Sequence, residues 1–288
     1  MFEGTIDGAS IVAEIEMLRT LRNNAVLVVE GPSDERFFAN FADADTCEIV
    51  IAWGADNSLC ALNIARGRSL TGICYVLDRD YREFLCLTID DPDVVFTDEH
   101  DIEMVMVCSP ALTRVFSELG SRQKLREAER KGIDLSEFIL DAVYVVGVLR
   151  LYAQKHGKAL KFDGLAFTFV DHRTFAVDTE RLLTDVCNHS RIPKVEVADY
   201  HEYLETWRAR DHNRWMMCCG HDFAALAGKS LRQMFGTRNA REVTGEEIES
   251  RLRLAFSDDA FGRTTLAASI RAWEARNPPY KCLSDSIP

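Results

Sequence analysis

The chain has 288 residues, 47% of them hydrophobic and 28% charged, enough for one large domain or two modest ones with an ample core. Ordinary Gly and Pro content, with no low-complexity tract and no internal repeat, excludes fibrous, solenoid and disordered classes. The net charge of −12 argues against a nucleic-acid partner until its distribution is read: residues 1–108 hold 21 Asp/Glu and 7 Lys/Arg, and the remaining 180 hold 25 acids and 27 bases.

The first ten residues, MFEGTIDGAS, have neither the basic nor the apolar region of a signal peptide. Apolar positions Ile11, Val12, Ile15, Leu18 and Leu21 are spaced for an amphipathic helix over 9–23. Ala25–Val29 is a short β-branched run that reads as a buried strand, broken by Gly31-Pro32. Ser33 is a suitable N-cap for a helix over 34–42, with Asp34 and Glu35 in its first turn and Phe37, Phe38 and Phe41 on its core face.

A second strand is expected at Cys47–Ala52, then a helix from about 56 to 64, and a third strand at Gly72–Leu77. Residues 81–93 read as a loop with a short edge segment near Phe84–Leu87. A fourth strand follows at Val94–Phe96, and a helix over Asp101–Cys108. Strand and helix alternating at short intervals predict a mostly parallel sheet with helices on both faces, an α/β, Rossmann-like domain over 1–108.

After Pro110 helical periodicity dominates, at 110–119, 121–131, 135–154, 178–187, 199–210, 222–234, 244–255 and 263–275. Short β-like pieces at Leu165–Val170 and Val195–Val197 interrupt it. The region 109–288 is therefore read as largely helical. Its most apolar stretch, Ala142–Leu149, is too short to span a membrane and suits a buried helix or a partner-facing one.

Nine cysteines without a CxxC pair give no support to zinc-ribbon or thioredoxin readings, and suggest reduced thiols in a cytoplasmic protein. Ala227-Gly228-Lys229-Ser230 looks like the end of a phosphate-binding loop, but Phe223 stands where the first Gly is needed. Any ATP use falls to a partner.

Acids mark three strand ends: Glu30 after the first, Asp78 and Asp80 after the third, and Asp98, Glu99, Asp101 and Glu103 after the fourth, with His100 among them. Continued strand alternation puts Asp78 and Asp80 on the same side. Ligands of parallel sheets bind beyond the carboxyl ends of the strands. Gathered carboxylates repel unless a cation is present, and Mg²⁺ takes oxygen ligands while keeping several waters. Two such ions clamp the attacking and leaving oxygens of a phosphoryl displacement. Each residue also has a plainer reading: Glu30 as an exposed acid, Asp78 and Asp80 as turn formers, Asp98 as an N-cap with Asp101 at N3, His100 as a packing residue.

VVEGPSDERFF followed by VLDRDY resembles a toprim domain, the fold of topoisomerases, primases and the overcoming-lysogenization-defect (OLD) nucleases. FTDEHDIE and CCGHDFAALAGKSL resemble the branch that includes AriB, the effector of PARIS anti-phage defence. The toprim likeness covers residues 25–108; the branch likeness extends weakly along the whole chain. It implies that Glu30, Asp78, Asp80, Asp101 and Glu103 serve as catalytic and metal-binding acids for Mg²⁺ or Mn²⁺, two ions in all. Asp34 belongs to the first motif as a helix cap.

The likeness further implies an endonuclease of abortive infection, cutting tRNA in preference to DNA. It is held by an AriA-like ABC-type ATPase and forms a homodimer when released. Auxiliary candidates are Asp98, His100, His221, Asp222 and Lys229, the last as a reach toward a scissile phosphate. His221-Asp222 either joins the site or caps the next helix. The acid-free basic windows offer Lys155, Lys158, Lys161, Arg232 and Arg238 for phosphates. The alternatives are an OLD-type DNA nickase and a degenerate toprim module that docks on an ATPase.

Overall fold

A computed structural model describes residues 6–193, 195 and 197–288. The leader reading thus falls partly, and the β-like reading of Val195–Val197 partly, outside the described residues. The chain forms two compact units. One comprises Met1–Arg79, Cys86–Ile102 and Phe256–Pro288; the other comprises Asp80–Leu85 and Glu103–Ala255. Where the sequence suggested a single cut after residue 108, the segments interleave.

The first unit is built on four parallel strands, β1 (Ala25–Val29), β2 (Cys47–Ile51), β3 (Ile73–Leu77) and β4 (Val94–Phe96), in the order β2-β1-β3-β4. All five residues of β1 are buried, as a central strand covered on both faces requires. Val26 and Val28 pack with Ile73, Tyr75 and Leu77 against Ile11, Val12 and Ile15 of α1 (Gly8–Leu21). α3 (Ala55–Gly67) adds Ala61, Leu62 and Ala65 to the same cluster. Each fully buried Val or Leu contributes about 1.5–3 kcal/mol by removal from water.

Helix α2 spans Pro32–Phe38 and starts earlier than the sequence suggests. Its N-cap is Gly31 and not Ser33. Pro32 takes the first helical position, where no amide is missed, and Asp34 reaches back to accept the Gly31 amide at 2.8 Å. Phe37, Phe38 and Phe41 are fully buried, as expected, although Phe41 lies beyond the helix end. The edge segment near Phe84–Leu87 is a turn and not a strand. Helix α4 (Ile102–Val107) follows the acid-rich segment.

The second unit is helical: α5 (Pro110–Leu119), α6 (Arg122–Arg130), α7 (Leu135–Lys155), α8 (Thr179–Ser190), α9 (Val197–Arg208), α10 (Gly220–Ser230) and α11 (Gly245–Ala255). Leu165–Val170 forms turns with one bridge, Val170 to Val177, and no strand; Val197 opens α9 and does not close a strand. The apolar band of α7 is buried throughout Ala142–Leu149, which settles it as a core helix of this unit. Gly147 makes that possible: a Cβ there would stand 2.0 Å from the carbonyl oxygen of Met217.

The chain then returns to the first unit. The expected helix 263–275 is α13 (Thr265–Arg276), and a short helix that the sequence did not suggest, α12 (Asp258–Gly262), precedes it. Phe256 and Phe261 pack on the α2 phenylalanines, with Phe41 and Phe261 stacked at 4.3 Å between ring centres. Among the described residues no helix is long and apolar enough to cross a membrane.

Candidate metal centre

The strand order places a reversal at β1 and β3: the chain leaves β1 toward β2 on one side and resumes at β3 on the other. In open parallel sheets such a switch point opens a crevice at the carboxyl ends of the two strands. Glu30 and Asp78 immediately follow those strands. The Asp78 amide donates to Glu30 Oε1 at 2.9 Å, so the two acids stand side by side. The backbone of Glu30 is fixed as well, its carbonyl accepting from Gly54 at the start of α3.

The exit of β4 is tied to the same edge. The Arg79 amide donates to Thr97 Oγ1 at 3.0 Å, and Arg79 Nε donates to the Thr97 carbonyl at 2.9 Å. Thr97 is fully buried and donates its own hydroxyl to the Glu99 carbonyl. This pins the turn that carries His100 and Asp101, both buried, the latter 6% exposed. Glu30 and Asp78 are half-buried. The half-buried carboxylates of Glu30 and Asp78 offer oxygens with access to solvent, the donor type that suits Mg²⁺, which keeps part of its water shell.

The other expected residues have definite places. Asp80 lies beyond the end of β3 with φ of 49°, so strand alternation does not carry from Asp78 to Asp80. Asp80 and Glu103 belong to the second unit. Asp98 caps a helix, though not the one the sequence proposes. Its carboxylate accepts from Thr265 N and Oγ1 and from Leu266 N, at the start of α13.

Within the second unit, Asp222 is committed to a bidentate ion pair with Arg150 at 2.8 and 2.9 Å and is 3% exposed. Burial lowers the Arg150 pKa, and the Asp222 carboxylate more than offsets this, so the guanidinium stays charged. Neither His221 nor Asp222 caps α10, whose N-cap is Cys219. Lys229 is buried and its ammonium donates to the carbonyls of Phe167 and Val170, which makes it a structural strut of the Phe162–Val177 segment.

Lys155, Lys158, Lys161, Arg232 and Arg238 are exposed; Arg232 also donates to the Val243 carbonyl. A concavity that sequence reading missed is lined by Arg208, Arg210 and Arg214 with Tyr144 and His212, and also by Asp141 and Asp211; Arg214 pairs with Asp141 and Glu137. Its arginines are interspersed with acids along the chain, so no net basic window marks it.

His221 leads to a second missed residue. Its Nδ1 lies 2.7 Å from Glu249 Oε1, and Glu103 joins them, the three ligand atoms lying within 4.8 Å of one another. Glu103 is 3% exposed. Glu249 sits in an acid-rich helix where nothing in the sequence separates it from its solvated neighbours. Compared with known proteins, the chain matches no family model and no curated protein.

Proposed function

We propose that the protein is a Mg²⁺-dependent toprim-type endonuclease, the toxic effector of an anti-phage system, which cuts tRNA when an ABC-type ATPase partner releases it. The observation that carries this reading is the contact of Glu30 with the Asp78 amide at the sheet's switch point. The Glu30 carboxylate, held there by a backbone amide, is oriented before any ligand arrives, and preorganised charge is what phosphodiester chemistry needs. The substrate, the partner and dimerisation on release follow from the resemblance to the AriB branch and are part of the proposal.

Glu30, Asp78 and Asp101 are the acids of the first unit proposed to hold the metal. Bound Mg²⁺ supplies Lewis-acid stabilisation of the phosphate and a more acidic water. The chain's own residues fix the frame: the Asp78 amide orients Glu30, and Arg79, anchored on Thr97, holds the exits of β3 and β4 together.

The test is cleavage of tRNA and of plasmid DNA with Mg²⁺ by wild type and by Glu30→Gln. The carboxamide oxygen of Gln still accepts the Asp78 amide, so the fold is kept while the charge is lost. We expect tRNA cleavage to fall at least about a hundredfold in the variant. Equal cleavage by both proteins rejects the site. Cleavage of DNA alone gives the nickase reading. Cleavage of neither, with retained binding to an ATPase, gives the docking module.

A further inference from the structure

The structure assigns an imidazole-containing metal site to the helical unit: Glu103, His221 and Glu249, taking a divalent transition ion of the Zn²⁺ or Mn²⁺ class. Nothing in this assignment requires the nuclease reading.

The site is built by the packing of α10 on α11. Gly245 of α11 meets Ala225 of α10 so closely that a Cβ on residue 245 would stand 3.0 Å from the Ala225 Cα. One helical turn from each, moving in opposite directions along the chain, lie His221 and Glu249. The helices are therefore antiparallel neighbours, and the small pair at 225 and 245 brings the polar pair at 221 and 249 into contact at 2.7 Å. The third residue, Glu103, enters from the first turn of α4. Three side chains from three helices, more than a hundred positions apart in sequence at the extremes, thus present ligand atoms within 4.8 Å of one another.

The geometry is close to what a metal needs. Zn–N and Zn–O bonds of about 2.0–2.2 Å in tetrahedral geometry put ligand atoms roughly 3.3–3.6 Å apart. Reaching that range asks the 4.8 Å span to close by about an ångström and the 2.7 Å His221–Glu249 contact to open, adjustments that rotamers of long Glu side chains supply. The charge also matches, since two carboxylates and a neutral imidazole carry −2 against +2.

The donor set selects the ion. Imidazole favours Zn²⁺, Fe²⁺ and their neighbours, carboxylates suit Mn²⁺, and the absence of thiolate from the trio disfavours soft ions. Mg²⁺ prefers all-oxygen sets and is the weaker match. Burial is graded. The Glu103 residue is 3% exposed, whereas the Glu249 and His221 side chains are 12% and 59% exposed. One side is therefore anchored in the interior and the other open to solvent, which gives an ion an entry path and leaves coordination positions for water or a phosphate oxygen. Ligation through Nδ1 leaves the neutral imidazole with its one proton on Nε2, and from a protonated His221 one proton leaves to solvent. The ordinary alternative is an ion pair between a protonated His221 and Glu249.

The experiment uses the full chain, stripped with chelator and loaded with Mn²⁺, then with Zn²⁺. Pulsed electron paramagnetic resonance reads imidazole ligation directly, as ¹⁴N coupling to bound Mn²⁺. Calorimetry gives Zn²⁺ stoichiometry and affinity. We expect ¹⁴N coupling in wild type, its retention in Asp78→Asn, and its loss in His221→Ala. Zn²⁺ affinity at this site falls more than about tenfold in Glu249→Gln, which preserves side-chain size.

Absence of ¹⁴N coupling in wild type overturns the assignment, and so does coupling that persists in His221→Ala. Because Asp78→Asn leaves this trio untouched, loss of nuclease activity in that variant with intact ¹⁴N coupling separates the two sites. Failure of the nuclease reading leaves the ¹⁴N result standing on its own.

Discussion

Individual carboxylates in this chain differ by what receives their oxygens. Glu30 takes an amide from the residue that follows β3, whereas Asp98 spends both oxygens on the first turn of α13. An acid that caps a helix N-terminus satisfies amides that have no intrahelical partner and sits at the positive end of the dipole. Asp98→Ala should therefore cost about 1–2 kcal/mol of stability, read as a lowered urea midpoint with unchanged slope. The own N-cap of α13, Thr264, remains and limits the loss. Mg²⁺-dependent cleavage by the refolded variant should match wild type; a large drop in cleavage without a drop in stability would return Asp98 to the metal site. Asp222 makes a similar point: its neighbour His221 faces an acid while it is locked to Arg150.

Among the helices and strands, those fixed by local rules were legible in the sequence and those fixed by distant partners were not. The β-branched runs at Ala25–Val29 and Val94–Phe96 gave strands because continuous apolar runs between breakers need burial on both faces. Glu30 and Asp78 were legible for the same reason, since a parallel sheet aligns its strand ends. The sequence could not show that Asp80 turns left-handed, nor that Lys229 points into its own unit to meet the Phe167 and Val170 carbonyls. Leu165–Val170 looked like a strand because its apolar residues alternate, yet among the described residues no neighbouring strand supplies a ladder. Glu249 gained its role only from the helix that packs against it.

The placement of α7 depends in turn on one missing side chain. Adding a methyl group at Gly147 forces it into the Met217 carbonyl at 2.0 Å, a contact with backbone that cannot rotate away. Gly147→Ala should destabilise by more than the usual 1–3 kcal/mol or so of overpacking, despite the better helix propensity of Ala. Chemical denaturation measures it. An unchanged or raised midpoint would mean that α7 shifts freely against 215–217 and that its burial is loosely specified.

For the molecule as a whole, charge is the property that links composition to function. Residues 1–108 carry 21 acids against 7 bases, and the proposed Mg²⁺ ligands of the first unit lie in that stretch. Three of the other acids there are paired: Asp91 and Asp93 hold Arg66, Glu16 holds Arg68, and Asp93 also accepts the Trp273 indole. The overall −12 is therefore a poor guide to where a cation binds, because surface pairs of this sort contribute little and are screened by salt. A ligand that binds only the folded state stabilises it in proportion to the logarithm of one plus the ratio of its concentration to its dissociation constant, by about 2.7 kcal/mol at a hundred times that constant. If Glu30 and Asp78 hold Mg²⁺, millimolar Mg²⁺ should raise the Tm of wild type well above the rise produced by NaCl at the same ionic strength. In Asp78→Asn the two salts should have equal effects. Scanning fluorimetry across a Mg²⁺ series makes the comparison. An equal Mg²⁺ increment in both proteins would mean that the cation relieves diffuse acidic repulsion and has no site at the sheet's switch point.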